Sequence, residues 1–161
     1  SGGQIRRVAS GFSAPAAMLW TRDKYLLVAN RNAGELVKVD FKGNKEVLHH
    51  NLATPVGLAQ TDDGTIFVSC FNGGIDMIKP SGQRSTIYQG LKTPGVGLAA
   101  DGSDVLAVDY GGTTVTRISQ QGQAAPLIDD LSSPVGLAIT PNGKLLVGTW
   151  GDDSLYIFDY K

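Results

Sequence analysis

Pro55-Val56-Gly57-Leu58-Ala59 returns almost unchanged as Pro134-Val135-Gly136-Leu137-Ala138, and with one extra residue as Pro94-Gly95-Val96-Gly97-Leu98-Ala99. A diverged copy stands at Pro15-Ala16-Ala17-Met18-Leu19. Anchored on Ala17, Gly57, Gly97 and Gly136, the steps are 40, 40 and 39 residues. A fixed period in this range marks stacked structural repeats.

Each period carries the same succession of strand and turn signals, with four strands A to D. Strand A is the Gly-Leu-Ala stretch, as in residues 56–61. The Asp62-Asp63-Gly64 turn follows, and Asp-Gly between apolar runs is a hairpin signal. Strand B, at 25–30, 65–70, 104–109 and 144–149, is rich in β-branched and aromatic residues, as half-buried strands are. A Gly/Asn loop leads to strand C at 36–40, 75–79, 114–119 and 155–159. A second turn, as in Ser81-Gly82-Gln83, leads to strand D at 46–50, 85–89 and 125–129. A Leu-x-[Ser/Thr]-Pro loop then restarts the pattern. No segment keeps helical periodicity over about 11 residues.

The fourth period stops after strand C. Residues 4–9, Gln-Ile-Arg-Arg-Val-Ala, read as a D strand with no blade of its own. The simplest arrangement puts them on the edge of the last blade, pairing an edge that is otherwise open. The expected fold is therefore all-β: one β-propeller domain over residues 1–161 with four four-stranded blades. The blades cover about 15–50, 55–90, 94–130, and 134–161 plus 4–9. The alternative is half of a larger ring formed by two chains, hence a possible homodimer.

Composition narrows the function. Fourteen basic and 15 acidic residues leave a net charge of −1. Such a balance offers no patch for nucleic acid or a membrane surface. No apolar run approaches the ~20 residues of a membrane span. Cys70 is the sole cysteine, which excludes an internal disulfide and a cysteine zinc site. A soluble protein is expected, either cytoplasmic or exported with its signal removed.

The wording Pro-x-Gly-Leu-Ala, then Asp-Gly, then a Leu-Leu-Val-Ala type of strand resembles the NHL and SMP-30/gluconolactonase-like propellers. The resemblance covers nearly the whole chain, although those families usually have six blades. It implies that strand A lies nearest the axis and that the D-to-A and B-to-C loops share the ligand face. For the lactonase branch it also implies an axial divalent metal held by Asn, Asp and Glu side chains, one of them just before the Gly of Pro-x-Gly. Here Ala16, Val56, Val96 and Val135 hold that position. Hard cations need oxygen ligands, so no metal and no cofactor are expected.

Two further rings follow from the repeat. The end of strand B supplies Asn30, Cys70, Asp109 and Thr149. Asn30 and Asp109 could serve as polar ligands, or could cap backbone N–H groups of the glycine loops. One residue on come Arg31, Phe71, Tyr110 and Trp150. Aromatic faces with an arginine suit flat or apolar groups, but each aromatic could instead cover the seam between blades. The candidate ligand site is thus Asn30, Arg31, Phe71, Asp109, Tyr110, Thr149 and Trp150, with no catalytic residue assigned. Cys70 reads as a small buried hydrophobe, and His49-His50 as a solvated edge whose side chains face opposite ways. The expected function is a non-catalytic binding or scaffold propeller for a peptide or small molecule. The alternative is a hydrolase or lyase of the resembled families.

Overall fold

A computed structural model describes residues 2–160. Ser1 and Lys161, the ends of the expected domain, lie outside the described residues. The chain forms four antiparallel sheets in sequence order. The first holds β1 (Pro15–Trp20), β2 (Leu26–Asn30), β3 (Glu35–Val39) and β4 (Lys45–His49). The second holds β5 (Pro55–Gln60), β6 (Ile66–Cys70), β7 (Ile75–Ile78) and β8 (Arg84–Tyr88). The third holds β9 (Pro94–Asp101), β10 (Asp104–Asp109), β11 (Val115–Ile118) and β12 (Ala124–Ile128). The last has three strands only, β13 (Pro134–Ile139), β14 (Lys144–Thr149) and β15 (Ser154–Asp159). Among the described residues there is no α-helix, only a 3₁₀ turn at Arg31–Ala33. Among the described residues no helix is long and apolar enough to cross a membrane.

The sheets stack through their alternating faces. Leu27, Ala29 and Leu36 of the first pack on Leu58, Ile66, Val68 and Cys70 of the second. Phe67, Ile75 and Met77 pack on Val105, Ala107 and Ile118 of the third. Leu106, Val108 and Val115 pack on Leu145 and Val147 of the last. Each seam buries several large aliphatic side chains, each worth roughly 1.5–3 kcal/mol over exposure. At the inner end, β5 lies against β1 and β9, and β9 against β13. The approach is close enough that a methyl on Gly57 would meet the Val96 carbonyl at 2.6 Å, and one on Gly97 the Val135 carbonyl at 2.5 Å. That is why the repeat keeps Gly here.

One expectation is corrected. Residues 4–9 form no strand, and the last sheet has no fourth strand from them. No packing comparable to β5 on β9 joins β13 to β1, so the blades form an arc that does not close on itself. Val8, Ala9 and Phe12 lie instead over Val28, Val37 and Val39 on the outer face of the first sheet. A strand needs a hydrogen-bonding edge, and the edge expected to supply it stands at the other end of the arc.

Candidate loop-face pocket

The B-to-C loops are held by the D-to-A loops. The Phe71 N–H donates to the Thr54 carbonyl at 2.8 Å and the Trp150 N–H to the Ser133 carbonyl at 3.1 Å. Thr54 (φ 63°) and Ser133 (φ 51°) are non-glycine residues in the left-handed region, each immediately before a proline. That conformation costs of order 1–3 kcal/mol and persists where surroundings enforce it. Here it aims each carbonyl at the N–H of the residue that forms the pocket wall.

The structure divides the seven candidate residues into two rings. Asn30, Asp109 and Thr149 are buried. Asn30 Oδ1 accepts the Ser13 N–H at 2.7 Å, and its Nδ2 donates to Glu35 at 3.0 Å. The Asp109 carboxylate accepts the Lys92 N–H at 3.0 Å and the Thr93 N–H at 2.9 Å. Thr149 Oγ1 donates to Asp152, whose carboxyl this bond holds below the ordinary range with help from Tyr156. These side chains tie loops together. Cys70, fourth in the ring, is buried and its thiol is pushed up to about 12, chiefly by burial. A thiol so placed carries little of the thiolate that a nucleophile needs.

Arg31, Phe71, Tyr110 and Trp150 line one cavity of about 330 Å³ with Ala16, Val56, Gly95, Val96 and Val135. All four sheets contribute. The wall is continuous: the Arg31 guanidinium lies 6.0 Å from the Phe71 ring centre, Phe71 lies 6.2 Å from Tyr110, and Tyr110 meets Trp150 edge-on at 5.8 Å. Trp150 is 68% exposed and forms the solvent end of this wall. The floor is aliphatic. Gly95, the extra residue of the third repeat, lines the cavity together with Val96. The axial positions supply no oxygen donor, so the residues present do not fit the divalent metal implied for the lactonase branch.

The two histidines do face opposite ways, but only His50 sits at a solvated edge, 3.6 Å from Glu35. His49 is half-buried in a cleft of about 510 Å³ between the first two sheets, beside Tyr25, Gln60 and Ile66. Burial is the first cause of its lowered pKa, and Arg84 the second. A bulge in the β3–β4 ladder between Leu36 and Val37 re-aims it. Simple alternation could not have found this, because the bulge leaves no mark in the sequence.

No family model matches the chain, and no curated protein matches it. Solved structures do match. A gluconolactonase from Xanthomonas campestris superposes with a TM-score of 0.81 at 17% identity, covering 93% of this chain and 59% of its own. Virginiamycin B lyase from Staphylococcus aureus gives 0.76 at 15% identity, covering 91% and 55%. The computationally designed protein Ika4 gives 0.71 at 14% identity, covering 98% and 100%. The chain spans little more than half the length of the two natural enzymes. At these identities the likeness concerns architecture: this is an all-β chain of propeller blades.

Proposed function

We propose that the loop face binds a small molecule bearing an apolar or aromatic ring. The observation that carries this is the Arg31–Phe71–Tyr110–Trp150 wall over an aliphatic floor. Apolar lining with a few oriented polar groups is the usual make-up of a ligand pocket. Arg31 adds a cation at one end, which favours a ligand with an anionic or carbonyl group there.

A second reading, hydrolase or lyase, is favoured by the comparisons over a non-catalytic scaffold, since a gluconolactonase and virginiamycin B lyase share the architecture. Against it stands the chemistry of the wall. Asp109 is engaged with two loop N–H groups, and no carboxylate or imidazole among the described residues lines the cavity.

One experiment tests both. Quinupristin, the compound bound to an inactive variant of the lyase, and gluconolactone are titrated while Trp150 emission is followed. Product formation is measured with and without added divalent metal. Saturable quenching that Trp150→Ala abolishes, without turnover, supports binding. Turnover of either compound supports the second reading. No saturable change with either compound rejects the pocket for this ligand class.

A further inference from the structure

The two ends of the arc are open, and repeat-equivalent positions show what each lacks. Ladder register sets Gly136, Gly148 and Leu155 in the last sheet where Gly57, Ser69 and Ile75 stand in the second. Leu146 and Ile157 stand where Phe67 and Met77 do. Ile75 is 0% and Met77 5% exposed, sealed by the next blade; Leu155 is 88% and Ile157 60% exposed. A methyl on Gly57 or Gly97 would strike the next blade's backbone, whereas at Gly136 nothing lies closer than 3.7 Å. The last sheet therefore presents a blade-facing surface with no blade on it.

The first sheet presents the reciprocal surface. Exposed Met18 and Trp20 lie on its outer side, with Trp20 stacked on exposed Phe41 at 5.5 Å. Residues 6–10 on this face already occupy the position of a neighbouring blade's outer strand. Lys45 Nζ donates to the Ser10 carbonyl at 2.7 Å, as Arg84 donates to His50 at 2.7 Å one repeat on. A methyl at Gly43 would meet the Val8 carbonyl, as one at Gly122 would meet the Ile87 carbonyl. Val8 and Ile87 are themselves repeat equivalents, each seven residues before the next Pro15 or Pro94. So a segment in an outer-strand position, with no strand pairing of its own, lies on this face without the three inner strands that such a segment flanks in the other repeats.

We propose that the occupant is a second copy of this chain. The three-stranded sheet of each copy packs on the first sheet of the other, and residues 4–10 pair along the free edge of β15 in trans. In the register that joins β7 to β8, Arg7 would face Tyr156, whose hydroxyl donates to Asp152, and Arg6 would face Ile157, two residues from Asp159, so the basic pair lies within reach of acidic groups at both ends of the edge. Edge addition of this kind satisfies backbone groups that would otherwise be open. The exposed apolar side chains amount to on the order of 800 Å² per seam, so the two seams of a two-fold pair lie within the roughly 1,200–2,000 Å² of a stable interface. Symmetry makes the seams identical and leaves no open face. The cavity is completed at the same time, because Trp150 comes beside Arg31 of the partner subunit and the aromatic wall continues around the axis.

Mass in solution tests this by sedimentation and light scattering at micromolar concentration. The expected mass is twice the 16.9 kDa of one chain. Gly136→Ala, whose methyl is unopposed within one chain, is expected to give a folded single chain with unchanged circular dichroism. Ile157→Asp is the second variant, with the same expected halving of mass. A wild-type mass of one chain, or of three or more, overturns the proposal. So does a pair that survives both substitutions, since its contact would then lie elsewhere.

Discussion

Replacing Asp109 with alanine separates a cap from a ligand contact. The carboxylate is buried and accepts two backbone hydrogen bonds, from Lys92 and Thr93. Stranding a buried donor costs about 1–3 kcal/mol. Lys92 is exposed, so water can reach its N–H and its share falls at the low end; Thr93 is half-buried and pays more. The expected loss is about 2–4 kcal/mol, most of it from backbone N–H groups and little from packing. For a chain of this length that lowers the melting temperature by about 5–12 °C. Asp109→Asn keeps one acceptor but turns an amide donor toward the second N–H, so it falls between the two. Asn30 tolerates the amide in the first repeat because Glu35 accepts from it. Chemical and thermal denaturation read the stability, and the quinupristin titration reads the pocket. A loss below about 0.5 kcal/mol, the scatter of ordinary surface substitutions, with binding abolished would refute the capping role and place Asp109 in the ligand site.

Gly57→Ala is expected to destabilise by about 1–3 kcal/mol, the usual cost of overpacking, because its methyl meets both Ser69 Oγ and the Val96 carbonyl; urea denaturation checks it. His49→Leu is expected to flatten the acid side of the stability profile. The folded-state pKa of His49 is lowered, so the unfolded chain binds the extra proton first, and the wild type loses stability as pH falls below about 6.5. Melting temperatures between about pH 7 and 5 check this, a window above the carboxylate range. An identical slope in the variant would show that His49 carries no such linkage.

Much of the fold was legible because it repeats. Three near-identical Pro-x-Gly-Leu-Ala stretches set the period, and Asp-Gly turns set the hairpins, so β5 to β8 fall within a residue or two of the expected strands. Residues 4–9 carry the pattern of a strand and nothing that fixes its partner. Whether such a segment pairs depends on where the partner edge stands, and that is a property of blade curvature, which no local signal records. The geometry of the candidate site was half legible for a related reason. Repeat position identifies Asn30 and Asp109 as equivalent, and Arg31, Phe71, Tyr110 and Trp150 as equivalent. It cannot say which of two adjacent residues turns inward at the end of a strand.

That single-residue step organises the loop face. Side chains alternate along strand B, so its last residue points into the blade and the next leaves the ladder toward the axis. At the inward position every repeat places a group that closes a loop or fills the core: Asn30 and Asp109 on backbone N–H groups, Thr149 on Asp152, and Cys70 among apolar neighbours. At the outward position of the second and fourth repeats the main-chain bonds of Phe71 and Trp150 to Thr54 and Ser133 hold the loop, whatever the side chain. The two demands therefore fall on different residues. Substitution at Trp150 forfeits an edge-on ring contact, worth about 0.5–1.5 kcal/mol, and leaves the loop anchor in place. On the reading proposed above, the outward ring carries ligand preference, and exchanging Trp150 or Arg31 is expected to change which ring-bearing molecule binds before it changes whether the chain folds.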